Sequence, residues 1–596
     1  MKQYILTVLL LALLLPACST GLLKPAKEIA GVWECTVGTP ETIVPTSVRN
    51  FQIKETECSV KRCPVQVSGS VQNDTAVFCI PVGPDENFYG LGLQMSTYRL
   101  NGLKKRIRVN ADPDTDEGDS HAPVPFFLSS AGYGIFVDTE RYATFDFSEP
   151  GKVSIYVPRS GGASLKIFAG PTMKEALARY NMYSGGGCNP PEWGLGFWYR
   201  VERDFTDKDV LAMAAEFREK DFPCSVIGLE PGWQTATYSC SYIWSDLFPD
   251  PKAFVDSMTA MGFKVNVWEH AFIHPTSPIH EAMVPYSGDH LVWEGLVPDF
   301  TVPEARKIFS DYMADVTTRI GISGFKADEC DGSDFTGGWS FPMDARFPGG
   351  ADGEQMHSMF GLRYQDVLLE TSAKAGIDEN YGLVRNSGSF AAPYPFVLYS
   401  DLYDHRTFIN SVAQASFCGL LWSPEVREAA NPEELLLRMQ TAVLSPLAMV
   451  NAWYLKHQPW KQVDRELNDE GKFMPGWEDL EEKCRDLARL REKLVPEIKD
   501  AFEVYAGTGI PPFRALVIDW PEDPSVADIN GQYMIGGHLM AAPPAYGEKE
   551  IEIYFPEPGS EWESYDGSAK YAGGSTVILP VTSDIVYLYR KFQPYK

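Results

Sequence analysis

The sequence predicts an α/β protein: a (β/α)8 TIM barrel flanked by an N-terminal β-sandwich and a C-terminal β domain. Three observations predict it. From about residue 190, short apolar runs alternate with helical stretches, the rhythm of a parallel barrel. Residues 25–185 read instead as strands separated by turns, with almost no helical periodicity before 174–180. After Gly507 the chain returns to strands and turns. At 596 residues it is also too long for one core. The expected divisions are a signal at 1–18, the sandwich at 19–185, the barrel at 186–505 with an inserted loop near 334–353, and the C-terminal β-sandwich at 506–596.

The elements follow in order. Lys2 precedes an apolar run at 5–15 that is too short to span a bilayer. The run closes on Leu15, Pro16, Ala17 and Cys18, a small residue before a cysteine, as in a bacterial lipobox. Cys18 is therefore expected to be lipidated, with the chain anchored in the bacterial cell envelope, at the periplasm or outer membrane; an ordinary signal peptide is the alternative. Setting Cys18 aside leaves ten of the 11 cysteines, and Cys35, Cys58, Cys63 and Cys79 lie closest in sequence. An exported chain can form disulfides, but spacing does not give the pairing. No Cys/His grouping has zinc-ligand spacing, and neither metal nor cofactor is expected.

Alternation at 50–54 and 65–71 and an apolar run at 132–137 mark sandwich strands. Barrel strands are expected at 193–199, 224–229, 264–268, 324–327, 382–384, 396–399, 417–422 and 449–453. Helices are expected between them at 208–220, 251–261, 303–320, 355–375, 405–415 and 433–445. A charged amphipathic helix covers 478–502, and later strands fall at 550–554, 575–580 and 585–588. The formal charge of −28 argues against nucleic acid, whose phosphates need a basic surface. The 14 Trp, 28 Tyr and 33 Phe offer rings for stacking on sugar faces, although most must serve the core.

The most informative stretch is GFKADECDG at 324–332, an apolar approach leading into Asp328, Glu329 and Asp331. Unpaired buried charge is costly, so clustered carboxylates at a strand end suit a catalytic mouth better than a core. A calcium site or a solvated acidic turn is the alternative. Other strand ends carry similar chemistry: Glu230 and Trp233; Trp268, Glu269 and His270; Arg385; Asp401, Asp404 and His405; Trp422, Glu425 and Arg427; Trp453, His457 and Trp460. Convergence on one barrel face suits cleavage of a glycosidic bond, which needs one carboxyl as nucleophile or base and another as proton donor.

These motifs resemble glycoside hydrolase family 31, a family of retaining α-glycosidases. The resemblance also rests on FYGLG at 88–92, VPFFLSSAGYG at 124–134, PPEWGLG at 190–196, FPDP at 248–251 and GGHLMAAP at 536–543. It implies Asp328 as nucleophile, Asp331 as a helper carboxylate and Arg385 as an arginine contacting the sugar near the leaving group. It implies Asp401 as general acid/base, with Asp404 the competing carboxylate only three residues on. Trp422 and His457 match a seventh-strand tryptophan and a histidine that binds a sugar hydroxyl. Glu230, Trp233, Trp268, Glu269 and Lys326 complete the expected substrate-binding set. The chain departs from the family at Glu230, where Asp is usual, at YSD (399–401), and at WSPEVR (422–427).

The expected reaction is double displacement on a terminal α-linked hexose of an oligosaccharide or glycoside, of α-glucosidase or α-galactosidase type. The Asp401 carboxyl should then sit above the usual carboxylate range. An α-xylosidase or α-transglycosylase on the same fold, and a non-catalytic glycan-binding lipoprotein, are the alternatives.

Overall fold

The computed structural model describes residues 21–592 apart from 112, 114–116, 335, 337 and 338. The expected signal and Cys18 lie outside the described residues. Among those described, no helix is long and apolar enough to cross a membrane, and no cluster of His, Cys, Asp or Glu could hold a metal. The ten described cysteines are unpaired.

The N-terminal region is two antiparallel sheets of six strands each. Trp33, Phe78, Phe127, Phe145, Ile155 and Ile167 interdigitate between them. The strand Pro123–Ser129 is buried along its whole length. Period-2 alternation explains this: Phe127 enters the sandwich core while Val124, Phe126 and Leu128 face the barrel side. There Phe126 stacks on Tyr180 of the helix Met173–Tyr183, with centroids 3.9 Å apart.

The barrel sheet is parallel and runs, in spatial order, Phe396–Leu398, Gly382–Val384, Gly324–Ala327, Lys264–Glu269, Val226–Leu229, Phe197–Arg200 and Ala448–Asn451. These are the sixth to first strands followed by the eighth. The seventh position, expected as a strand at 417–422, is irregular. Ser416–Cys418 form a 3-10 turn that ends at Gly419 in the left-handed region (φ 69°). Single bridges, Leu398 to Trp422 and Val426 to Val450, then close the ring. Pro424 lies between them and has no N–H to give, so a continuous ladder cannot form. The first strand starts later than expected, because Glu192–Leu195 is a helical turn. The helices Asp207–Glu219, Pro251–Ala260, Gly353–Lys374, His405–Ala415 and Pro432–Val443 fall where periodicity placed them.

The charged helix Trp477–Thr508 leads from the barrel into a six-stranded sheet and a separate antiparallel pair, Glu550–Phe555 with Ser575–Pro580. Its Arg491 is fully buried and donates to the carbonyls of Leu195, Val443, Ser445 and Pro446 at 2.6–3.0 Å. Those bonds satisfy the charge and tie the helix to the chain entering the first and eighth strands.

Candidate active site

A cavity of about 600 Å3 opens at the C-terminal ends of the barrel strands. Asp328 sits in its wall, one residue past the strand Gly324–Ala327. Strand alternation puts Lys326 and Asp328 on the same inward side. Both lie in the cavity lining, with Glu230, Trp268 and Asp401.

Three contacts hold Asp328. The Trp268 indole Nε1 donates to Oδ2 at 2.6 Å, and the Glu329 backbone N–H donates to Oδ1 at 2.9 Å. Arg385 Nη1 stands 3.6 Å from Oδ1. These donors fix the direction of the carboxylate. The same Arg385 Nη1 donates to Asp401 Oδ2 at 2.5 Å, while Nε donates to Asp331 at 3.1 Å. One guanidinium thus ties three carboxylates together. Asp331 is wholly buried and meets His121 Nδ1 at 2.8 Å; His121 Nε2 meets Ser400 Oγ at 2.7 Å. His121 comes from the N-terminal sandwich region, so that region reaches the back of the site. A lone histidine among apolar strand residues gave no sequence signal for this.

The floor is a buried charged layer. Arg200 donates through Nε to Glu230, through Nη1 to Asn266 Oδ1 at 2.6 Å and through Nη2 to the Leu229 carbonyl at 2.7 Å. Lys326 Nζ lies 3.3 Å from both Glu230 oxygens. A Cβ at position 228 would fall 2.5 Å from Arg200 Nη1, so Gly228 makes room for the guanidinium. The Tyr399 ring lies between two cations, Lys326 Nζ at 5.1 Å and the Arg385 guanidinium at 5.5 Å from its centroid.

Asp401 differs from the expectation. Its carboxyl is held well below the usual carboxylate range, first by Arg385 and then by Arg427, which overcome its desolvation. Arg427 Nη1 donates to Asp401 Oδ1 and Nη2 to the Asp401 carbonyl, both at 2.8 Å. Asp404 separates from the site: it caps the helix His405–Ala415, accepting from the Thr407 N–H at 2.8 Å. The carboxyl pushed upward is Glu329, to about 9, by burial and then by the neighbouring Asp328 charge. Glu329 lines the cavity and has φ 53°, a strained conformation for a non-glycine residue.

Six of the nine expected substrate contacts lie outside the cavity lining. Glu269 points behind the barrel wall, where Tyr364 donates to its Oε1 at 2.6 Å, and burial pushes its carboxyl up to about 8. It follows Trp268, and alternation sends adjacent strand residues to opposite sides. Trp233 is fully buried, donating to the Trp268 carbonyl at 2.6 Å, so it braces the strand end. Trp422 is buried too, donating to the Phe408 carbonyl at 3.0 Å. His457 lies outside the cavity lining, beside Phe473 with ring centroids 5.0 Å apart. Asp331 and Arg385 act from behind, through ion pairs. Arg203, Tyr238, Glu329, Arg427, Asn451 and Trp453 enter the lining without having been singled out as ligands.

A parallel barrel with carboxylates gathered at its strand ends defines a glycosidase-type site. Comparison with known proteins agrees. The glycosyl hydrolases family 31 TIM-barrel domain matches residues 188–501, the family's C-terminal domain matches 509–591, and its N-terminal galactose mutarotase-like domain matches 64–146. The chain belongs to glycoside hydrolase family 31. It is 25% identical over 519 residues to the alpha-xylosidase XylQ of Lactiplantibacillus pentosus, covering 81% of this chain and 64% of that protein. It is 23% identical over 558 residues to alpha-glucosidase 2 of Bacillus thermoamyloliquefaciens, covering 85% and 66%. The chain thus spans less than two thirds of the length of these relatives. Among solved structures, the Flavobacterium johnsoniae GH31 dextranase complexed with glucose superposes with a TM-score of 0.76 at 20% identity, covering 96% of this chain and 73% of that one. A GH31 alpha-xylosidase from a soil metagenome, complexed with xylose, gives 0.76 at 17%, covering 96% of both.

Proposed function

We propose that the protein is an exo-acting retaining α-glycoside hydrolase that releases a terminal α-linked hexose, with Asp328 as nucleophile and Asp401 as acid/base. One observation carries the reading: a single nitrogen, Arg385 Nη1, contacts both carboxylates, at 3.6 Å and 2.5 Å. Their oxygens therefore lie no more than about 6 Å apart, within reach of the ~5–5.5 Å of retaining enzymes and short of the ~6.5–9.5 Å that leaves room for water in inverting ones.

Ionised Asp328, aimed by Trp268 and the Glu329 N–H, attacks the anomeric carbon. The C–O bond to the leaving group breaks as Asp401 gives that oxygen a proton. Asp401 then takes a proton from water, which releases the sugar from Asp328. Glu230, held by Arg200, and Lys326, held by Glu230, present fixed charges to the sugar hydroxyls, and the Trp268 and Trp453 rings face the same space. Relatives named alpha-xylosidase support a second reading, removal of xylose by the same chemistry.

Release of 4-nitrophenol from a panel of aryl α- and β-glycosides tests the reading. Cleavage confined to one α-glycoside supports it and names the sugar; cleavage of β-glycosides alone contradicts it. The lipobox at Cys18 supports anchorage in the bacterial envelope. A Cys18→Ala chain released into the aqueous phase on detergent partitioning is the expected result; unchanged membrane association refutes it.

A further inference from the structure

Beside the site lies a second cavity, of about 710 Å3, and the two share Arg427 and Trp453 as a common wall. Three guanidinium groups, of Arg427, Arg438 and Arg465, line it with the rings of Tyr403, Trp453 and Tyr454. Glu428, Glu434 and Asp464 line it as well, so three cations meet three carboxylates. Two of those carboxylates are already engaged. Glu434 is taken by Arg438 at 2.8 Å, and Asp464 caps the chain at the Leu467 N–H at 2.9 Å, which leaves Glu428. Arg465 lies over the Tyr454 ring at 5.2 Å, and no carboxylate pairs with it among the described residues. Arg427 faces both cavities, and its partner Asp401 has a side chain 60% exposed to solvent and also holds Arg385.

We propose that this second cavity seats the leaving group, that the leaving group bears a carboxylate or sulfate, and that Arg427 passes from Asp401 to that anion as it binds. This rests on Asp401 being the acid/base. An anion can replace the Asp401 carboxylate in a two-point guanidinium contact, which a neutral hydroxyl does less well. The exchange also answers a difficulty in the resting site, where a carboxylate clamped by two arginines is a poor proton donor. Once Arg427 leaves, Asp401 faces Arg385 and Lys326 as cations, Glu329 and Glu425 as acids, and the phenols of Tyr238 and Tyr399. It takes one proton from solvent, then gives it to the glycosidic oxygen as the bond to Asp328 forms.

The test uses the α-glycoside that the panel shows to be cleaved, made with 4-nitrophenol and with 3-carboxy-4-nitrophenol as leaving groups. The carboxylated substrate should have a kcat/KM about tenfold or more higher. Arg465→Gln should remove most of that preference, with the rate on the carboxylated substrate falling far more than the 4-nitrophenyl rate. Arg427→Met should move the alkaline limb of kcat/KM for the neutral substrate to higher pH, a change that loss of packing alone does not produce. Equal kcat/KM for the two leaving groups overturns the proposal, as does an alkaline limb that Arg427→Met leaves in place. No turnover of any panel member overturns the glycosidase reading, and this proposal with it.

Discussion

The two sides of the active site are built differently. Strands two to four form one wall, where Glu230, Trp268, Lys326 and Asp328 project from a regular parallel ladder and are buried. The sixth to eighth positions form the other, where Asp401 stands past the end of Phe396–Leu398 and Arg427 follows a seventh segment joined only by single bridges. On the first side the ladder sets direction, and the Trp268 indole and the Glu329 N–H aim the Asp328 carboxylate, with Arg385 at 3.6 Å. On the second, ion pairs do that work, and ion pairs can exchange. A nucleophile needs one fixed position, whereas an acid/base must change protonation and partners during the cycle, so the division of rigid and exchangeable support follows the chemistry.

Substitutions on the two sides should separate these roles. The largest effect is expected for Asp328→Asn, a loss of ~10⁴-fold or more in kcat with an unchanged circular dichroism spectrum. Residual turnover near that of the wild type would remove Asp328 from the reaction. Asp401→Asn should cost ~10²–10⁴-fold on a disaccharide and much less on an aryl glycoside whose leaving group needs no proton. Equal losses on both substrates would break the comparison. Asp331→Asn, which loosens Arg385 and His121 without touching the sugar, should lower kcat/KM by about 10²-fold through misplacement of both carboxylates. A change in KM alone, with kcat intact, would show that Asp331 does not position the reacting groups.

The smallest effect concerns stability. Glu269, fully buried, has its carboxyl raised from 4.5 to about 8. The folded chain therefore keeps a proton that the unfolded chain gives up between those values, so its contribution is full below the lower value and is lost as pH rises through the upper one. Glu269→Gln mimics the protonated form, and its Tm should gain on the wild type by several degrees, on the order expected for a few kcal/mol, as pH climbs through that window. A constant difference in Tm would mean that Glu269 is ionised in the fold.

Legibility in the sequence followed the same division. The strand Gly324–Ala327 and the helix His405–Ala415 stood at the residues that periodicity assigned, because each combines a clear period with a sharp end. Asp328, Glu230, Lys326 and Trp268 were legible as cavity residues because a strand end fixes which side its neighbours face. Glu269 and Trp422 were misplaced for a related reason: composition brought them to the strand end, but alternation and local packing turned them into the wall. Arg427 was legible as a strand-end residue but its pairing with Asp401 was not, since that depends on an irregular segment around Pro424, and His121 arrives from a different part of the chain. The low Asp401 carboxyl was missed because two arginines, distant in sequence, meet on it.

The most direct test of the central claim is the anomeric configuration of the sugar first released, followed by proton NMR on the α-glycoside that the enzyme cleaves. Two carboxylates bridged by Arg385 within about 6 Å predict that the α-anomer appears first and only later mutarotates. Initial appearance of the β-anomer would show inversion, and would contradict a covalent step at Asp328.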